Sequence, residues 1–258
     1  MASGLVYVGS VDGSLYAFNA GTGQQIWVQA TGAGIAYSSP AVANGVVYVG
    51  SDDQHLLAFN AATGQPIWSA ATGGDVTSSP AVADGIVYAA SGDGNLYAFN
   101  AATGKTIWKS AVVESGGGET SSPAVAYERV YVGSSNGTLY AFDAKTGQPA
   151  WSADIGAATL SSPTVANGVV YIGSNDFKVY AFNAATGQLL WSAATGGPIY
   201  ASPVVVNGMV YVGSLDSHIY AYGLPPGTPA AKAAERPPRK AQKNSATGTT
   251  GTPPKGIS

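Results

Sequence analysis

One sentence of roughly forty residues recurs along this chain, and that recurrence limits the possible folds more than any other feature. Residues 38–68 read SSPAVANGVVYVGSDDQHLLAFNAATGQPIW, and residues 78–108 read SSPAVADGIVYAASGDGNLYAFNAATGKTIW. Trp27, Trp68, Trp108, Trp151 and Trp191 follow one another at intervals of 41, 40, 43 and 40 residues. Pro40, Pro80, Pro123, Pro163 and Pro203 keep the same period, as do Tyr7, Tyr48, Tyr88, Tyr131, Tyr171 and Tyr211. Three markers in one register define a tandem repeat, whose units each bury an apolar face against their neighbours.

Within a unit every local signal is β. PAVA is a short apolar strand (a), followed by Asn44–Gly45, Asp84–Gly85, Asn167–Gly168 or Asn207–Gly208, dipeptides suited to a two-residue type I′ hairpin. VVYVGS is strand b, rich in β-branched and aromatic residues. A second polar turn leads to LYAFN as strand c, AATG turns again, and the segment ending in Trp opens strand d. Four short antiparallel strands per repeat, arranged around an axis, describe the blade of a β-propeller. The predicted fold class is therefore all-β, a propeller of four-stranded blades over residues 1–224.

The eleven-residue stretch A-F-N-A-x-T-G-Q-x-x-W occurs at 17–27, 58–68 and 181–191, with close variants at 98–108 and 141–151. It resembles the tryptophan-docking motif of the quinoprotein-like (PQQ-like) propeller repeat family, and the resemblance runs over residues 5–222. It implies that Trp27, Trp68, Trp108, Trp151 and Trp191 are structural and dock one blade on the next, a role suited to a large ring with one donor. About six units are counted. The first, 5–30, lacks strand a, and the docking motif of the last, 203–222, breaks down at AYGLPPG, leaving 22 strands. Two arrangements fit: a six-bladed ring with two incomplete blades, or a piece of a longer propeller, the second in line with what the resemblance implies, since that family commonly has about seven or eight blades. An open ring would expose sheet faces and favour self-association.

Composition narrows the function. Residues 1–224 hold five Lys/Arg against thirteen Asp/Glu, an acidic body that speaks against nucleic acid as partner. The chain has no cysteine, which removes disulfides, thiolate–metal sites and a thiol nucleophile. No apolar run approaches the ~20 residues of a membrane span, and residues 1–20 show no basic stretch followed by an apolar core, so no secretory leader is expected in this chain. Residues 225–258 carry seven prolines, six Lys/Arg and one Glu, with no aromatic residue, and are expected to be a disordered Pro/Ala/Lys-rich tail.

In propeller topology the d–a and b–c loops share one face. One aligned position in the b–c turn holds Ser14, His55, Asn95, Thr138, Lys178 and His218, and the position three before the strand-a proline holds Tyr37, Thr77, Thr120, Leu160 and Tyr200. Variation confined to one face of a uniform scaffold marks binding loops. Tyr37, His55, Thr77, Asn95, Glu119, Lys178, Tyr200 and His218 are the candidate ligand or partner residues. No metal site is expected, because His55 and His218 are the only histidines and lie on separate units. No serine–histidine–aspartate set is proposed, since the repeated serines occupy turns. Glu114 and Glu119 share a glycine-rich loop better explained by solvation than by paired-carboxylate catalysis, and Asn136-Gly137-Thr138 reads as a turn before a glycosylation site.

The resemblance adds expectations about function. Catalytic members of the family are longer, hold calcium and carry cysteines, so neither PQQ nor Ca²⁺ is expected here. The chain is similar to the non-catalytic, BamB-type members, which implies a non-enzymatic scaffold that binds a protein or peptide, in a bacterial cell envelope or an extracellular sensor. A carbohydrate-binding propeller, with Tyr37 and Tyr200 stacking on sugars, is the alternative. A quinoprotein dehydrogenase fragment is a remote third reading.

Overall fold

A computed structural model describes residues 4–112 and 121–223. The expected 22 strands are present and form six antiparallel sheets, each in the order of the chain. Blade 1 holds β1 (Leu5–Ser10), β2 (Ser14–Asn19) and β3 (Gln25–Ala30), and blade 2 holds β4 (Ala41–Ala43), β5 (Val46–Ser51), β6 (His55–Asn60) and β7 (Pro66–Ala71). Blade 3 comprises β8 (Ala81–Ala83), β9 (Ile86–Ala90), β10 (Asn95–Asn100) and β11 (Thr106–Ala111). Blade 4 comprises β12 (Ala124–Ala126), β13 (Arg129–Gly133), β14 (Thr138–Asp143) and β15 (Pro149–Asp154). Blade 5 comprises β16 (Thr164–Ala166), β17 (Val169–Gly173), β18 (Lys178–Asn183) and β19 (Leu189–Ala194). Blade 6 ends the described chain with β20 (Val204–Val206), β21 (Met209–Gly213) and β22 (Ile219–Gly223). The short first strands, β4, β8, β12, β16 and β20, neighbour one another in series and surround the axis.

Each blade is apolar on both faces, which is why strand b reads as a continuous VVYVG run rather than an alternation. Tyr48, Leu56, Ala58 and Trp68 of blade 2 pack against Val87, Ala89, Tyr97 and Phe99 of blade 3, while Val47, Val49, Leu57 and Phe59 turn back to Leu15, Ala17 and Trp27 of blade 1. A hydrogen-bonded staple recurs at the first four junctions, and at the fifth Tyr171 Oη and Trp191 Nε1 are buried without an acceptor among the described residues. Trp27 Nε1 and Tyr7 Oη both donate to the carbonyl of Ala61 (3.1 and 3.0 Å), and Trp108 Nε1 and Tyr88 Oη both donate to that of Ala144 (3.0 Å each). Ala101 and Ala184 receive the equivalent pairs from Trp68 with Tyr48 and from Trp151 with Tyr131. The glycine of the docking motif lies under the preceding blade's indole: a Cβ on Gly64, Gly104, Gly147 or Gly187 would stand 2.6–2.7 Å from that ring. The motif's Asn or Asp holds the turn, Asn60 Oδ1 accepting the N–H groups of Ala62 and Thr63.

The serine pair before strand a is structural as well. The first hydroxyl of each pair (Ser38, Ser78, Ser121, Ser161) accepts an N–H from its own strand b, at Gly50, Ala90, Gly133 and Gly173. The second links blade to blade: Ser39 N–H donates to Ser79 Oγ, Ser79 N–H to Ser122 Oγ, Ser122 N–H to Ser162 Oγ and Ser162 N–H to Ser202 Oγ, at 2.8–3.1 Å.

Blades 1 and 6 make no hydrogen bond to each other among the described residues. Tyr211 is 37% exposed and Ile219 81%, where the aligned Tyr171 and Val179 are fully buried. At the other end Val8 is exposed, where the aligned Val49 is fully buried. The described residues thus form an arc of six blades whose outermost faces are uncovered.

Burial raises the strand-b tyrosines Tyr88, Tyr131 and Tyr171 to about 12, from an ordinary 10.0. A phenol raised by folding favours the fold at every pH below its ordinary value, and that contribution disappears as pH rises through the folded value. We expect these phenols to resist ionisation near pH 10 and to ionise together with unfolding as pH approaches about 12, recorded by tyrosinate absorbance alongside circular dichroism. Independent titration near pH 10 with the fold intact would contradict this.

Candidate functional site

Where the d–a loops run into the axial strands, the structure forms a cavity of about 340 Å³ lined by Tyr37, Thr77, Ser78, Ser121, Ser122, Leu160 and Ser162. The repeat explains the assembly. Tyr37, Thr77 and Leu160 occupy the same position in successive units, and each lies just ahead of an axial strand. Tyr37 is 77% exposed and Leu160 is also exposed, so one aromatic ring and one aliphatic side chain stand free at the mouth. Ser122 and Ser162 accept backbone N–H groups, and among the described residues their own hydroxyl protons meet no protein acceptor. The described lining is neutral: hydroxyl groups, one phenol and an isobutyl group.

Around this mouth the b–c turns make an acidic rim. Asp12, Asp93, Asp176 and Asp216 each accept a hydrogen bond from the tyrosine four residues on: Tyr16, Tyr97, Tyr180 and Tyr220. The Tyr220 hydrogen bond, helped by the backbone N–H groups of His218 and Gly196, holds Asp216 down to about 2. Burial pushes Asp93 upward, but hydrogen bonds from Tyr97 and Asn95 outweigh it and leave the carboxyl below its ordinary range. Burial, and then the neighbouring carboxylates Asp75 and Asp53, raise Asp52. Lys178 is the cation within this set; its Nζ lies 3.1 Å from Asp176 and 6.0 Å from the centre of the Tyr180 ring.

The seven candidates among the described residues therefore separate into those that line the cavity and those that do not. Tyr37 and Thr77 meet at the cavity. His55, Asn95 and Lys178 open third strands and His218 immediately precedes one, all away from the described lining, and Tyr200 is exposed on the sixth unit's d–a loop without lining the cavity. Glu119, with Glu114 and Thr120, lies outside the described residues. His55 and His218 each have an acidic neighbour: Nδ1 lies 3.4 Å from Asp53 Oδ1 and 3.3 Å from Asp216 Oδ1, and also meets the backbone oxygen of the same residue at 2.9 and 3.0 Å. This is one local turn used twice. Among the described residues no group of three metal-ligating side chains occurs.

Two features escaped the sequence reading. The serine ladder walls the cavity, although its period was visible. The opposite face is also less uniform than its turns imply. In blade 4 the a–b turn is Tyr127–Glu128, both at positive φ (52° and 58°), where other blades use Asn–Gly or Asp–Gly. Tyr127 Oη accepts the N–H of Gly168 on the next blade at 2.9 Å, a tie that helps hold the unusual turn.

Stacked antiparallel blades, indole staples and a neutral axial mouth define a tryptophan-docked β-propeller of the PQQ-like repeat class. The family model described as outer membrane protein assembly factor BamB matches residues 11–162, 92–192 and 135–242, and the chain belongs to that family. Among solved structures, BamB from Moraxella catarrhalis matches with a TM-score of 0.72 at 24% identity, covering 87% of this chain and 71% of that one. The computationally designed protein Ika8 matches with a TM-score of 0.59 at 18% identity, covering 87% of this chain and 82% of that one. Comparison with curated proteins returns no match.

Proposed function

We propose that this chain is a non-enzymatic scaffold that binds a protein or peptide through the d–a/b–c face, with the axial cavity as the centre of contact. The observation that carries this reading is the convergence of Tyr37, Thr77 and Leu160, the positions at which otherwise similar units differ, on one neutral cavity. A side chain entering there meets free hydroxyl donors, a phenol and an aliphatic group, so a neutral residue fits better than a charged one. The carboxylate rim adds a preference for Lys or Arg on the flanks of the partner segment, an attraction that weakens with salt. The family's description as an assembly factor agrees with a protein partner. No resident PQQ or Ca²⁺ is invoked, and a spectral change on adding both would count against the scaffold reading.

A random peptide library selected on the chain tests the proposal, with Tyr37→Ala/Leu160→Asp as counter-selection. We expect neutral-centred, basic-flanked peptides that bind the double variant at least about tenfold weaker, a loss of about 1.4 kcal/mol. Peptides indifferent to the double variant would overturn the assignment of the site. A glycan array run in parallel separates the carbohydrate reading, for which the exposed Tyr37 ring beside serine hydroxyls is the motivating feature.

A further inference from the structure

We propose that blade 2 holds a binding site for a small phenol, at the place where the other five blades pack a tyrosine of their own. The third strand of those blades carries an aromatic pair. Tyr16–Phe18, Tyr97–Phe99, Tyr140–Phe142, Tyr180–Phe182 and Tyr220–Tyr222 stack with ring centres 5.6–6.1 Å apart and planes within 19° of parallel. In blade 2 the first member is Leu57, which leaves the Phe59 ring without its stacked neighbour. A cavity of about 230 Å³ opens there, between Ala30 and Thr31 of blade 1 and Leu57, Phe59, Trp68 and Ser69 of blade 2. Leucine in the place of a tyrosine leaves volume that a fixed backbone does not close. The other blades show that this is the ring's place. Tyr97 Oη accepts the N–H of Gly73, two residues past the end of β7, and Tyr220 Oη accepts that of Gly196. The glycine aligned with these is Gly32, next to the cavity wall at Thr31.

The polar end of the site is intact. Tyr16, Tyr97, Tyr180 and Tyr220 donate to Oδ2 of Asp12, Asp93, Asp176 and Asp216 at 2.5–2.7 Å, and Tyr140 Oη pairs with the Asn136 amide at 2.8 Å. The aligned carboxylate in blade 2 is Asp53, held in the same orientation. A Cβ built on Gly32 would stand 2.5 Å from Asp53 Oδ2, as one on Gly73, Gly156 or Gly196 would stand 2.4–2.5 Å from Oδ2 of its own aspartate. Asp53 Oδ1 accepts the N–H of His55, while Oδ2 accepts no hydrogen bond among the described residues. The histidine does not compete for it, because His218 approaches Asp216 Oδ1 in the same way while Tyr220 holds Oδ2. A phenol in the cavity would stack on Phe59 and donate a charge-assisted hydrogen bond to Asp53. Leu57 already fills the position from which a tyrosine ring springs, so the site takes a free phenol with at most a small para substituent, and not the tyrosine of a partner. It shares no lining residue with the axial cavity and does not depend on what binds there.

Titration of the full chain with 4-fluorophenol, followed by fluorine NMR, tests the site. We expect saturable binding with a dissociation constant on the order of 1 mM. Fluorobenzene, which lacks the hydroxyl, should bind at least about tenfold weaker, and N-acetyltyrosinamide should also bind more weakly. Leu57→Tyr supplies the ring from the chain itself, so it should abolish binding and raise the melting temperature by about 2–4 °C. Asp53→Ala should reduce the affinity for 4-fluorophenol to that for fluorobenzene, and decides the matter alone if Leu57→Tyr does not fold. Absence of saturable binding, equal affinity for fluorobenzene, or undiminished binding in either folded variant would overturn the proposal. Tighter binding of N-acetyltyrosinamide than of 4-fluorophenol would overturn the assignment to a free phenol.

Discussion

Trp108→Ala should lower stability by about 3–5 kcal/mol, the range for removing a large aromatic side chain from a packed site. Trp108 is buried between blades 3 and 4, its Nε1 bonded to the Ala144 carbonyl, its ring beside Tyr88 at 5.8 Å and over Gly147. For a propeller of this size the loss corresponds to a fall in melting temperature on the order of 10 °C. Trp108→Phe retains most of the volume and leaves Tyr88 Oη on the same carbonyl, so about 1–2 kcal/mol is expected from it. Ile107→Ala, on the exposed side of the same strand, should change stability by less than about 1 kcal/mol. Urea denaturation of the three variants checks the order. An alanine variant no weaker than the phenylalanine one would mean that the indole does not hold the junction.

Gly147→Val should have a comparable effect from the other side of the same contact. Gly147 has φ +72°, which costs a residue with a side chain about 1–2 kcal/mol, and its Cβ would stand 2.6 Å from the Trp108 ring, an overlap worth about a further 1–3 kcal/mol. Gly23 separates the two terms. It has the same φ of +72° with nothing within 4 Å of a Cβ, because no described blade precedes blade 1. Gly23→Val should therefore show the backbone cost alone, and the difference between the two variants measures blade docking. In the Trp108→Ala background the Gly147→Val penalty should shrink towards that of Gly23→Val, the non-additivity expected of residues in contact. Equal penalties for the two glycine variants in the parent chain would contradict the docking account.

The fold was legible because each unit repeats its turn chemistry. Asn–Gly and Asp–Gly mark the a–b hairpins at positive φ, and the docking motif marks the third-to-fourth-strand turn. Relations between units were harder to read. Tyr7 bonds the carbonyl of Ala61, 54 positions away, and Ser39 reaches Ser79 across 40, so neither tie shows in a local scan, although both follow once the period is taken as a spatial step. The candidate site was half legible for a related reason. Aligning units places a residue on a face but leaves its distance from the axis open. Residues ahead of the axial strands, such as Tyr37 and Thr77, converge on the cavity, whereas those that open third strands, such as His55 and Lys178, lie outside its described lining. The Tyr127–Glu128 turn broke the usual residue preference, and only its cross-blade hydrogen bond to Gly168 gives it a physical basis.

The central claim, that recognition is centred on the axial mouth, is tested most directly by the exchange footprint of a selected peptide on the full chain. Binding should slow exchange in the d–a loops around Tyr37, Thr77 and Leu160, and leave the opposite turns at Asn44–Gly45, Asn167–Gly168 and Tyr127–Glu128 unchanged. Protection confined to those opposite turns would place the binding surface on the other side of the propeller and contradict the account.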